Sequence, residues 1–101
     1  MTVEERLIRA RKSADSARAK AESLALEMPI EETRLAAEMN REVVMRIGET
    51  IAALKGDDHD RFMAAWHQAD AAAAKLIGLN NLMIAAIRKI VERSGASGEC
   101  V

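Results

Sequence analysis

The sequence predicts an all-α protein, an antiparallel helical bundle of three long helices with coiled-coil-like heptad packing. Three observations carry this. Three stretches keep apolar or small residues at alternating steps of three and four, the period of one helix face laid on another. The composition is 50% apolar and 31% charged, with one Phe, one Trp and no Tyr, a helix-former's mix that is short of the aromatics strands favour. Pro29 and Gly56 fall between the stretches, where a chain reverses most readily. At 101 residues the chain reads as one domain over 1–93, with helices near 2–28, 30–55 and 58–93. Residues 94–101 read as a flexible tail.

The first helix opens on Thr2, with Glu5 three residues on, the spacing of a capping box. Its seam is Val3, Leu7, Ala10, Ala14, Ala17, Ala21, Leu24 and Met28. Alanine through the middle lets a neighbouring backbone approach closely. Pro29 ends it, because Pro biases Met28 away from helical dihedrals and suits the first turn of the next helix. Glu31 and Glu32 then sit where negative charge is favoured. The second seam is Ile30, Thr33, Ala37, Asn40, Val44, Ile47, Ile51 and Leu54, ending at Lys55 and a C-terminal glycine, Gly56.

Asp57, Asp58 or His59 caps the third helix. Its seam runs Phe62, Trp66, Ala69, Ala73, Leu76, Asn80, Met83, Ile87 and Ile90 without a slip, beside a second line at Met63, Ile77, Ile84 and Val91. Two seams ask for two sets of neighbours, so this helix is the expected centre of the fold. The alternative is a break at Gly78–Asn81 with a short fourth helix from Leu82 to Arg93. Written in layers, Leu7 meets Ile51 and Phe62, and Leu24 meets Thr33 and Asn80. Asn40, Asn80 and Thr33 then form a polar core that fixes register. The third helix outruns the other two. Its apolar end, Leu79, Leu82, Met83, Ile84, Ile87, Ile90 and Val91, has no opposite number in the chain and reads as a partner or dimer interface.

Nothing in the residues assembles into an active site. His59 and His67 are the only histidines. Asp60, His67 and Asp70 lie roughly along one face but lack the Glu-x-x-His pairs of helical di-metal sites. Cys100 has no fixed basic neighbour to activate it. We therefore expect no enzyme activity, no cofactor and no metal. The net charge of −1 and the single cysteine fit a cytoplasmic protein. The longest unbroken apolar run, Leu82–Ile87, is too short for a membrane span. Arg6, Arg9, Arg11, Lys12, Arg18 and Lys20 make the first helix basic. They are read as salt-bridging surface, with nucleic-acid contact as the lesser reading.

Four likenesses are partial. Arg61 and His67 are similar to the Arg-and-His motif of helical HEPN ribonucleases, but Phe62 stands where a polar residue belongs. His67 lacks the Lys-Gly pair that follows the histidine of phosphotransfer domains. Leu79-Asn80-Asn81-Leu82-Met83 and Ala52-Ala53-Leu54 resemble the long helices of the TraM quorum-sensing antiactivators, small helical dimers that sequester a transcription factor. Flagellar export chaperones offer a comparable pair of long helices. The TraM-like match covers only the second and third helices and lacks that family's C-terminal Gly and Pro, so no membership is drawn. The functional expectation is a homodimer that binds another protein as an inhibitor, antiactivator or chaperone-type regulator of bacterial or phage kind. The alternative is a nucleic-acid-associated accessory protein using the first helix, and a helical hydrolase or metal enzyme ranks third.

Overall fold

The computed structural model describes the backbone of residues 1–99 and the side chains of residues 1–94. Three helices, α1 (Val3–Glu27), α2 (Glu31–Lys55) and α3 (His59–Glu99), make an all-α bundle. The Thr2 hydroxyl accepts from the Glu5 N–H at 3.2 Å and caps α1. The Asp58 carboxylate accepts from the Arg61 N–H at 3.1 Å and caps α3. At the α1–α2 turn the Thr33 hydroxyl accepts from the Ile30 N–H at 3.2 Å. Its proton reaches Met28 O at 2.6 Å or Ile30 O at 2.9 Å. One buried side chain thus satisfies backbone groups on both sides of Pro29.

Several expectations shift. Gly56 keeps a right-handed conformation (φ −76°, ψ −5°), and the left-handed residue of the turn is Asp57, at φ 59°. Asp is among the few L-residues that tolerate that region, because its short polar chain can bond locally. The break near Gly78 does not occur, and α3 runs unbroken for 41 residues. Nor does the helix stop at Arg93: it continues through the Ser94–Gly98 stretch to Glu99. That stretch holds glycines, which weaken a helix, but no proline, which would block its hydrogen-bond ladder. Cys100 and Val101 lie outside the described residues.

The largest correction concerns the centre. Helix α2 packs against both α1 and α3, whereas among the described residues no Cα of α1 comes within 8 Å of one of α3. The three-way layers stay open between α1 and α3 at the level of the backbone. The buried residues of α2 explain why: Ala36, Val43 and Thr50, seven apart, are buried beside the expected line at Ala37, Asn40 and Ile51. That double line gives α2 a face broad enough for two neighbours. Small residues such as Ala36, fully buried, and Ala53 let both helices come close.

Gly78 sits on the exposed outer surface of α3, and a Cβ built there meets nothing within 4 Å. Gly78→Ala should therefore raise stability by about 1 kcal/mol, read as a higher urea midpoint. No gain, or a loss, would mean that the helix bends or breaks there in solution.

Candidate protein-interaction surface

Three cross-helix contacts mark the antiparallel register. Arg46 donates to Gln68 Oε1 at 3.0 Å between α2 and α3. Arg41 pairs with Glu22 at 3.0 Å, and Lys55 with Glu4 at 3.7 Å, between α2 and α1. The sum 46 + 68 = 114 places Glu31, where α2 begins, level with about Met83. Beyond that point α3 extends alone for 16 residues (84 to 99), about 24 Å of helix. The overhang accounts for the elongated shape, 65 × 21 × 18 Å.

The expected interface residues divide by helical position. Leu79, Met83 and Ile87 are half-buried. Leu79 and Met83 are level with Leu35 and Glu31 at the start of α2, and Ile87 and Ile90 carry their line on beyond it. Leu82, 62% exposed, flanks them. Ile84 and Val91 are exposed and belong to another line, with Ile77. The overhang thus presents two apolar faces, and neither is covered by the chain's own helices.

The polar core residues are not joined by hydrogen bonds across helices. Thr33 is 1% exposed and bonds the α1–α2 turn. Asn40, 5% exposed, donates to Ala36 O at 2.7 Å in its own helix. Asn80 is half-buried on α3. Sequence reasoning missed Thr50, 1% exposed, whose hydroxyl donates to Arg46 O at 2.9 Å. Its signal was the seven-residue spacing from Ala36 and Val43.

Between α1 and α3 lies an open groove of about 210 Å³ floored by Val43, Ile47 and Thr50. Leu7 and Ala10 form one wall and Trp66, Ala69, Asp70 and Ala73 the other. Trp66 is 42% exposed and packs on Phe62, with ring centroids 5.8 Å apart.

Ion pairs decorate the surface. Arg18 bonds Asp15 at 2.8 Å and Glu22 at 2.7 Å, and Arg46 reaches Glu42 and Glu49. The Arg41 hydrogen bond, aided by Arg18, holds the Glu22 carboxyl below its ordinary range. Stability from this link is therefore full above the ordinary glutamate pKa and fades as pH falls through the lowered one. The expected salt-bridging of the other α1 cations is not found. Arg6, Arg9, Arg11, Lys12 and Lys20 are exposed and, among the described residues, make no ion pair. On α2, Arg34 pairs with Glu31 and Glu38, and Arg46 with Glu42 and Glu49, within their own helix.

Asp60, His67 and Asp70 are exposed, and among the described residues no three His, Cys, Asp or Glu side chains converge as a metal site. No ionisable side chain among those described is buried. One expectation about membranes changes: a window within His59–Ser94 is long and apolar enough to cross a bilayer by length and composition, with mean hydropathy 1.3. Counting only unbroken apolar runs missed it, because Lys75, Asn80 and Asn81 interrupt the stretch without outweighing its Leu, Ile and Ala. No family model, curated protein or solved structure matches the chain, so the partial likenesses seen in the sequence carry no further weight.

Proposed function

We propose that this chain is a cytoplasmic, non-enzymatic homodimer that acts by binding another protein, as an inhibitor, antiactivator or chaperone-type regulator does in bacteria or phages. The observation that supports this reading is the overhang. Helix α3 outruns α2 while keeping the seam that α2 would cover, so Met83, Ile87 and Ile90 offer a site for an apolar helix face. Leu and Met adapt to varied partners. Lys89 and Arg93 are exposed alongside and form a rim suited to acidic residues.

Ile87→Asp tests the site. The variant should remain a folded dimer by circular dichroism and light scattering, yet lose at least about tenfold in partner affinity, as burial of an unpaired charge demands. Monomers or unfolded chain would place Ile87 in the core and move the site elsewhere. A second reading, nucleic-acid contact, is favoured by the exposed, unpaired Arg6, Arg9, Lys12 and Lys20 on α1. Capture from the host with and without nuclease separates the two readings, since only nucleic-acid contact is lost on digestion.

A further inference from the structure

The other face of the overhang has an internal pattern that specifies its own occupant. Met63, Asp70, Ile77, Ile84 and Val91 are seven apart, and His67, Ala74, Asn81 and Arg88 form the adjacent line, also seven apart. Together they step four and three along α3, as a coiled-coil seam does. Every one of these residues is exposed; Ile77 stands at 64% and Val91 at 59%. The seam runs the length of α3, so a stable cover has to be a long helix. It carries an acid, Asp70, in the half flanked by α2 and a base, Arg88, on the overhang.

We infer that this seam is occupied by the α3 of a second copy, antiparallel, in the register that sets Asp70 against the partner copy's Arg88. This inference rests on the homodimer reading above and gives it an axis. Two-fold pairing makes every contact twice, and the sum 70 + 88 = 158 fixes the others. Ile84 then meets Ala74 (84 + 74), a large side chain against a small one. Val91 meets His67 (91 + 67), and Ile77 meets Asn81 (77 + 81). The axis passes at the level of Leu79. Each overhang lies along the first half of the other copy's α3, so the bare end of one chain is covered by the part of the other that α2 supports. A parallel pair would set Asp70 on Asp70 and Arg88 on Arg88, and sliding the antiparallel pair by a heptad separates the two charges. Like charges meeting across the seam select against the parallel pair, and charges left unpaired against the slid one. The face at Met83, Ile87 and Ile90 points elsewhere on α3 and stays open to a partner protein.

Disulfide trapping in a Cys100→Ser background tests the register. Ala74→Cys and Ile84→Cys replace exposed residues, so the fold is kept. Each variant alone should stay unlinked on oxidation, whereas the mixture should give a disulfide-linked pair. Asp70→Arg should weaken the dimer by about tenfold or more in light scattering at graded concentrations, and Asp70→Arg combined with Arg88→Asp should restore it. Self-linking of either single variant, absence of links in the mixture, or no rescue by the charge swap would overturn this register and leave the dimer standing. A monomer mass at high micromolar concentration would overturn the dimer as well.

Discussion

Replacing Thr33 by Val is expected to lower the unfolding free energy by about 0.5–1.5 kcal/mol, seen as a lower urea midpoint at unchanged slope. The two side chains have nearly the same shape, so the packing around a residue that is 1% exposed is preserved. What disappears is the hydroxyl. The Ile30 N–H loses one of its two acceptors and Met28 O the nearer of its two donors, while the backbone bond from the Ile30 N–H to Met28 O at 2.9 Å remains. The cost is therefore that of lost hydrogen bonds at groups that keep another partner. Thr33→Ser keeps the hydroxyl and should recover most of the loss. A Thr33→Val protein as stable as the parent would show that the backbone bond from Ile30 to Met28 holds the turn by itself.

Ile51→Ala is expected to cost about 2–5 kcal/mol. Ile51 is 8% exposed on α2, one turn before its end. The nearby Lys55–Glu4 pair (55 + 4 = 59) puts it level with about Ile8 on one side, and the Arg46–Gln68 contact puts it level with about Met63 on the other. Shortening it opens a void that neither flanking helix can close alone, since each is anchored to α2 and not to the other. Leu26→Ala is the matching control. Leu26 is 85% exposed, and its truncation should change stability by no more than about 0.5 kcal/mol. Equal losses from the two would mean that Leu26 is buried in an assembly larger than one chain.

Helix content and the two turns were legible because they rest on local chemistry. Thr2 before Glu5, Pro29 before two glutamates, and Asp58 ahead of an apolar seam each act within one helical turn. The choice of central helix was not legible from the same signals. Both α2 and α3 carry a second line seven apart, but that of α2, Ala36, Val43 and Thr50, is small or β-branched, while that of α3, Ile77, Ile84 and Val91, is large. Judged by hydrophobicity, α3 wins; judged by how closely two neighbours can approach, α2 does. The exposed line on α3 then turns from an apparent core into a candidate surface. Thr33 and Asn40 misled for a related reason. A polar residue on a seam suggests a partner across it, yet Thr and Asn can bond their own backbone, and here both do.

The arrangement in which the backbones of α1 and α3 each approach only α2 has a kinetic consequence. Among the described residues, close backbone contacts between helices join only helices adjacent in the chain, so no long loop must close before packing begins, and the contact order is low. Folding can start at either helical hairpin, with Thr33 at one turn and Asp58 at the other. The two hairpins compete for a single shared element, α2. Opening either outer helix leaves the other hairpin's contacts intact, so amide exchange should divide into an α1 unit and an α3 unit, with the buried centre of α2 slowest in both.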